Sequence, residues 1–249
     1  MTVKPTSETY PDTYFAGAYW GPRRESPEEC AHRTAAFLNL LASCDPFLPH
    51  WYKPTKSRAD ARKHPLMPPD VLSLAELFRR GVNREKGGPV IEDLGFRVWI
   101  HNGGGAYDDA GLRIKCGDYC GTSPNSCFLS LPSQGPNAER MLTAPVLTGV
   151  VRSMAVAWEP DWVAAMSRTH RDADNKADMW LGWVTYLSRQ RGTVPPLPAP
   201  VRIEPVGDMG SLIILTPERF TVANPAHMAL ARRVRELLAG AGLMQPTSA

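Results

Sequence analysis

The chain has 249 residues, of which 43% are hydrophobic and 21% are charged, and its formal net charge at pH 7 is +3. This composition excludes an intrinsically disordered chain and allows one large domain or two small ones. The mild charge also argues against a nucleic-acid-binding protein, because such proteins usually carry a strongly basic face or stripe.

The sequence also argues against membrane insertion and disulfide bonding. Residues 1–12 lack the apolar core of a signal peptide, and no apolar run approaches the roughly 18 residues that a membrane span needs. There are five cysteines, an odd number that favours a reducing compartment over a disulfide framework. We therefore expect a cytoplasmic protein with a single domain at residues 14–243 and flexible ends at residues 1–13 and 244–249.

The first predicted elements are a strand and a helix, joined by a hinge with the sequence YWGPRRESPEEC at residues 19–30. Residues 14–20, YFAGAYW, are rich in aromatic side chains, which is typical of a strand. In the hinge, Ser26 is a helix cap and Glu29 closes a capping box three residues later. These helix-start signals account for the hinge sequence without a catalytic or binding role. We interpret the hinge as structural, with its two arginines in the turn beside local acids.

The later elements are predicted as runs of strands between single helices. Proline-rich residues 46–70 predict a long surface loop that contains the basic stretch 53–65. Further helices are predicted at residues 71–80, at residues 143–157 and after the Asn224 cap. Further strands are predicted at residues 96–100, 112–116, 127–131, 158–167 (or a helix start there), 180–188 and in a hairpin of VRIEPV and SLIILT.

The order of these elements decides the fold class. Strands come in runs rather than alternating with helices, which predicts an α+β fold with a mostly antiparallel sheet and helices packed on one face. Each half of the chain contains a helix-flanked set of strands, so a two-half pseudo-repeat stays open as an alternative.

Three cysteines are candidates for a zinc site. Cys116, Cys120 and Cys127, with His101 nearby, are the ligand types that zinc prefers. Their spacing lacks the paired knuckles that mark a zinc motif, and Cys116 also fits the inward phase of its own predicted strand. We therefore predict no cofactor and keep zinc as the minor alternative.

Acidic residues beside tryptophans form the second candidate site. Glu159 and Asp161 lie between Trp158 and Trp162, and further acids follow from Asp172 onward. Three interpretations stay open: an acid/base pair of a hydrolase, a solvated turn, or a surface that recognises a basic partner. The glycine run at residues 103–105 precedes two acids that would repel phosphate, so it predicts a flexible loop rather than a phosphate site. No pattern in the chain predicts a catalytic residue.

Several segments, taken in order, resemble the immunity protein 52 family. They are YFAGAYWGPRRESPEECA near the start, AWEPDW, GWVTYLS, the segment from Pro196 to His227, and a closing amphipathic helix. The likeness runs from about residue 14 to about residue 243. It implies a bacterial immunity protein that is encoded beside a secreted toxin and binds that toxin in the cytoplasm. The family is associated with metal-dependent nuclease toxins of a restriction-endonuclease-like fold, and it has no catalytic residues to transfer.

The sequence thus leads to one main hypothesis: an immunity protein that neutralises a nuclease toxin by stoichiometric binding. We expect a protein partner, with no direct contact to nucleic acid or membrane. An inhibitor can present acids to the basic cleft of a nuclease. The expected contacts are therefore Asp108, Asp109, Glu159, Asp161, Asp172 and Asp174. The alternatives are a metal- or carboxylate-dependent hydrolase and a nucleic-acid binder that uses residues 53–65.

Overall fold

The structure, a computed structural model, describes residues 12–53, 55, 60, 63, 65–66, 70–105, 107–174 and 179–247. The strands among these residues are β1 Tyr14–Trp20, β2 Phe96–His101, β3 Gly111–Cys116, β4 Asn125–Ser130, β5 Trp162–Ser167, β6 Val184–Ser188, β7 Arg202–Val206 and β8 Gly210–Ile214. The helices are α1 Pro27–Ala42, α2 Val71–Arg80, α3 Gly135–Met141, α4 Ala144–Trp158, α5 Arg168–Asp174 and α6 Pro225–Gly240. Single turns of 3-10 helix lie at Glu92–Leu94 and Arg189–Arg191.

The eight strands form one sheet in the order β2-β3-β4-β1-β5-β6-β8-β7. Every neighbouring pair is antiparallel. The predicted α+β class and the antiparallel sheet are therefore confirmed. Outward from the central pair β1 and β5, the strands run β4, β3, β2 on one side and β6, β8, β7 on the other. The two halves share a strand count but not a connectivity.

Local side-chain chemistry starts three of the helices. The Ser26 hydroxyl accepts a hydrogen bond from the Glu29 backbone N–H, and the Glu29 carboxylate accepts one from the Ser26 backbone N–H. This is the predicted capping box of α1. Asp70 and Asn224 accept hydrogen bonds from the first backbone N–H groups of α2 and α6. Each such cap contributes about 1 kcal/mol to stability, so these helix starts are well determined by sequence.

Helices α1, α2 and α4 build the main core on one face of the sheet. Helix α4 packs on β1, β5, β6 and β8, α1 packs on α4 and α2, and α2 packs on β2. On this face Trp20 stacks on Trp158, the last residue of α4, with ring centroids 5.2 Å apart. A row of fully buried register partners crosses the sheet from β2 to β5 on the same face: Ile100, Leu112, Leu129, Ala16 and Ala165.

The opposite face is covered over one half of the sheet. Trp180 packs against Phe15, Tyr19 and Trp162, with ring centroids 6.4, 5.8 and 5.8 Å away. The Trp162 Nε1–H donates to the hydroxyl of Thr247 at 2.9 Å, so the C-terminal residues reach this face. Over β2, β3 and β4 the outward side chains are exposed or half-buried. That half therefore presents an open surface.

The structure corrects the sequence analysis at several element boundaries. Trp158 ends α4 instead of opening a strand, because Glu159 adopts a left-handed conformation and a proline follows it. The strand predicted from residue 180 begins only at Val184. Helices α3 and α5 were not predicted, since each has seven residues and no apolar repeat.

The predicted surface loop at residues 46–70 is only partly described, and most of its basic stretch at residues 53–65 lies outside the described residues. Leu48, Trp51 and Leu66 are buried, so this segment contributes to the core as well as to the surface. The backbone N–H of Tyr52 donates to the carbonyl of His101 at 2.7 Å, which fixes the loop to the outer edge of β2.

In the parts of the chain that the structure describes, no single helix is both long and apolar enough to cross a membrane. Helices α3 and α4 reach the length and apolar composition of a membrane span only when they are taken together, and the chain bends by 76° at their junction.

Candidate functional site

The hinge between β1 and α1 is organised around a buried carboxylate. The side chain of Glu25 is 5% exposed, and it forms ion pairs with Arg23 Nε at 3.0 Å and Arg33 Nε at 2.8 Å. Arg33 also pairs with Glu159 at 3.1 Å, and Arg23 donates to the carbonyl of Trp158 at 2.9 Å. These contacts fasten the hinge to the end of α4. The geometry supports the interpretation of the hinge as structural.

Two of the predicted contact acids, Glu159 and Asp161, lie together in one cleft. They line two adjoining cavities of about 570 and 400 Å³, which also share Gln190. Glu159 ends α4 with φ 49° and ψ 54°, and its carboxylate pairs with Arg33. Arg191 lines the same cleft, so both charge signs are present. A pair of carboxylates that acts as acid and base needs contrasting environments for its two members, and the ion pair of Glu159 with Arg33 gives that interpretation no support.

Asp172 and Asp174 lie on α5, beyond the opposite end of β5 from Asp161. Asp174 pairs with Arg235 of α6 at 2.7 Å, and both side chains are only 16% exposed. Asp172 is 65% exposed and pairs with its neighbour Arg171 at 2.7 Å. Asp172 is therefore the more accessible of these two predicted contacts.

Asp108 and Asp109 lie in the loop between β2 and β3, and both are half-buried. Asp108 accepts a hydrogen bond from the Asn137 side-chain amide of α3 at 3.0 Å. The glycine run before them closes a tight turn, since a Cβ on Gly104 would lie 2.2 Å from the Asp108 carbonyl oxygen. The six predicted acids thus lie on three segments: the β2–β3 loop, the junction of α4 and β5, and α5.

The three candidate zinc ligands do not converge. Cys116 and Cys127 are fully buried on the core face, and burial raises the pKa of both thiols well above the usual range. Cys120 lies apart from them, where its thiol donates to Asp118 at 3.2 Å. Within the described ranges, no group of three or more His, Cys, Asp or Glu side chains is arranged to hold a metal ion. The zinc hypothesis gains no support.

A different surface is prominent in the structure, and the sequence analysis missed it. It consists of the outward side chains of β2, β3 and β4, and we term it the open sheet face. Its members are Arg97, Trp99, His101, Arg113, Lys115, Ser126, Phe128 and Ser130. Trp99 is 44% exposed, Arg113 is its direct cross-strand partner, and Phe128 is the next partner along the same row. No aspartate or glutamate occupies an outward position on these three strands.

Two neighbouring residues contact the Trp99 indole. His101 stacks on it with ring centroids 5.2 Å apart and an interplanar angle of 25°. The cross-strand partner of His101 on β3 is Gly111, where a Cβ would lie 3.6 Å from Trp99 Nε1 and 2.9 Å from the Ser130 hydroxyl. A larger residue at position 111 would crowd the Ser130 hydroxyl and contact the indole, and glycine avoids this. The result is a large aromatic side chain that is exposed and that stacks on a neighbouring ring.

The cations of the open sheet face differ in how they are paired. Lys115 forms an ion pair with the buried Asp118 at 2.7 Å, which neutralises it. Arg97 and Arg113 are exposed, and neither guanidinium has an ion pair or hydrogen bond among the described residues. The alternation of FRVWI and LRIKC places both arginines and Trp99 in the outward phase. That pattern was the available signal, but it does not reveal which half of the outer face other segments cover.

Comparison with known proteins then defines the family. Among solved structures, the Pseudomonas aeruginosa T6SS protein PA0821 is similar, with a TM-score of 0.52 and 14% sequence identity, over 90% of this chain and 76% of that chain. At this identity the likeness shows a shared fold alone. No curated protein sequence matches the chain significantly. The family described as Immunity protein 52 matches residues 12–247. Because this match spans nearly the whole chain and agrees with the motifs noted in the sequence, the protein belongs to the immunity protein 52 family.

Proposed function

We propose that the protein is a cytoplasmic immunity protein that binds one cognate secreted toxin and neutralises it by stoichiometric inhibition. The observation that carries this proposal is the family match over residues 12–247. Membership of an immunity protein family supports an immunity function and a toxin protein as the partner. The fold shared with a T6SS protein fits a toxin delivered by that secretion system.

The geometry supports inhibition by binding rather than by catalysis. The carboxylate of Glu159 is held by Arg33, and the thiols of Cys116 and Cys127 are enclosed in the core. The accessible chemistry lies instead on surfaces such as the open sheet face, which combines tryptophan and arginine. These residue types are enriched at protein interfaces and dominate their binding energy.

The proposal extends to the class of toxin, which we expect to be a metal-dependent nuclease. Such an enzyme has a basic cleft for its nucleic acid and carboxylates that hold its metal. The net charge of +3 does not fit wholesale mimicry of nucleic acid, which would need a strongly acidic chain. The six predicted acids stay candidates for local contacts, and Asp172 is the most readily tested because its side chain is 65% exposed.

Co-expression with the toxin tests the proposal. The toxin encoded in the adjoining gene is expressed in bacterial cells with and without this protein, and growth is followed. We expect rescue with this toxin and none with an unrelated nuclease toxin. A catalytically inactive toxin should co-elute with the protein in gel filtration, and titration against active toxin should abolish nuclease activity at a fixed molar ratio. Absence of both rescue and complex would reject the immunity function, while rescue from a toxin without nuclease activity would reject only the toxin class.

A further inference from the structure

We propose that the open sheet face is the surface that docks the toxin, and that it accepts an acidic patch of that protein around Trp99. This inference rests on the proposed immunity function and specifies where and how the partner binds. It also reverses the sign of the charge contact expected from the sequence, because the docking surface is basic and aromatic rather than acidic.

Trp99 has the properties of an interface anchor. It is 44% exposed, so a partner can bury a large part of the indole. The indole stacks on His101 and its Nε1 lies over Gly111, and these contacts reduce the side-chain freedom that would be lost on binding. Tryptophan and arginine are the residue types most enriched among binding hot spots. Here one tryptophan and two arginines lie on adjacent positions of two strands.

The charge of the face selects the partner. Arg97 lies two positions from Trp99 on β2, and Arg113 lies opposite Trp99 on β3. Burying either guanidinium without a counter-charge would cost several kcal/mol. The partner must therefore bring carboxylates to both positions. An acidic patch would also attract the two arginines over a distance and accelerate association at low salt.

A protein fits this face better than a nucleic acid does. Single-stranded nucleic acid is also bound by aromatic and basic side chains, but its sites follow the backbone with a line of cations. On the open sheet face Lys115 is neutralised by Asp118, so within the described part of the chain Arg97 and Arg113 are the cations of this face left for phosphate. Two phosphate contacts give little affinity at physiological salt.

The size of the face shows how much of the interface it can supply. Three strands of six residues present about 14 Å by 20 Å of surface. This area, near 280 Å², is roughly a third of the ~800 Å² that each partner usually buries. The open sheet face is therefore the centre of the contact, and the adjoining loop with the exposed Tyr107 is placed to form part of its rim.

Two variants and two matched controls test the proposal. Trp99→Ala removes the anchor, and Arg97→Glu with Arg113→Glu reverses the charge. Leu72→Ala is the control for loss of an exposed apolar side chain, since Leu72 is 78% exposed on α2. Arg202→Glu is the control for charge reversal, since Arg202 is 58% exposed and lies on β7, the opposite edge of the sheet. Binding of each to the catalytically inactive toxin from the adjoining gene is measured by calorimetry, with thermal melting as a check of folding.

We expect Trp99→Ala to weaken binding roughly 30-fold or more, as loss of a hot-spot residue does. The double arginine variant should bind at least about 10-fold more weakly and lose most of the salt dependence of association. The two controls should bind like the wild type. Asp172→Lys should also bind like the wild type, because the proposed contact uses the basic open sheet face and not Asp172.

The outcomes separate the two proposals. Failure of the wild type to bind the toxin overturns both. Normal wild-type binding with unaffected Trp99→Ala and double arginine variants overturns the docking surface alone and leaves the immunity function standing. Loss of binding in Asp172→Lys but not in these variants returns the contact to the acids. Salt-dependent binding of single-stranded DNA that the double arginine variant abolishes would assign the face to nucleic acid instead. Should Trp99→Ala fail to fold, the double arginine variant decides, because its native side chains make no ion pair or hydrogen bond among the described residues.

Discussion

Acidification is expected to destabilise the protein through one buried histidine, His170. Its side chain is buried, and it stacks on Phe220 with ring centroids 4.4 Å apart. Burial lowers the pKa of His170 from 6.5 to about 4, with Asp12 opposing the shift and Arg235 adding to it. The native protein therefore keeps this imidazole neutral at a pH where the unfolded chain takes up a proton.

The size of the effect follows from the difference between the two pKa values. One pKa unit corresponds to about 1.36 kcal/mol, so a fall from 6.5 to about 4 is worth at most about 3.4 kcal/mol. Because the folded-state pKa is the lower one, the unfolded state binds more protons. This stability is fully present above pH 6.5 and is lost as the pH falls toward 4. At pH 5 the loss amounts to about 2 kcal/mol.

Urea unfolding of the wild type and of His170→Phe, followed by circular dichroism from pH 7.5 to pH 4.5, measures this loss. Phenylalanine keeps an aromatic ring against Phe220 and does not titrate. The other titrating groups, chiefly carboxylates, contribute equally to the pH dependence of stability in both proteins and cancel in the difference. We expect the wild type to lose about 2 kcal/mol relative to the variant between pH 7.5 and pH 5. Two curves that run parallel over this range would refute a buried neutral His170.

Three further predictions concern the hinge and a tight turn. Glu25→Gln leaves Arg23 without its counter-charge and Arg33 with Glu159 alone, and it is expected to lower the urea unfolding free energy by about 3 kcal/mol. This is the low end for a buried pair, because the arginines are 25% and 28% exposed and Arg33 keeps one partner. Glu28→Gln, whose carboxylate is 50% exposed, is the matched control and should cost less than about 1 kcal/mol. Ser26→Ala removes the cap of α1 and should cost about 1 kcal/mol in the same assay. Gly95→Ala places a Cβ 2.3 Å from the Cys116 carbonyl oxygen at a φ of 57°, so we expect little folded protein on gel filtration.

Sequence predicted the fold best where neighbouring residues decide the structure. The capping box of Ser26 and Glu29 is complete within four residues, and α1 begins at the predicted position. The hinge arginines show where this limit lies. Arg23 pairs with Glu25 as expected, whereas Arg24 lies over the ring of Tyr119, a residue far along the chain. Short helices such as α3 and α5 escaped prediction because tertiary packing, rather than an apolar repeat, holds them.

The candidate site was harder to predict because it depends on what covers a surface. Strand alternation alone places Trp99 and Arg113 on the outer face, and it places Tyr19 and Trp162 there equally. Trp180 and the C-terminal residues cover the second pair and leave the first pair open. That difference is made by contacts between segments distant in sequence. The predicted acids lie on three segments of the chain, and strand alternation does not tell which of these segments come together.

If the toxin is a nuclease, as proposed, the positive charge of the open sheet face bears on how it would be inhibited. An acidic inhibitor surface would occupy the basic cleft of a nuclease and compete directly with nucleic acid. A surface built on Arg97, Trp99 and Arg113 has no reason to enter such a cleft, because like charges would face each other there. It would instead bind an acidic region, either beside the cleft or at the carboxylates that hold the metal. In the first case the inhibited toxin still binds DNA while its activity is blocked, and in the second it loses its metal. Measuring DNA binding and metal content of the purified complex distinguishes these mechanisms from competition at the cleft.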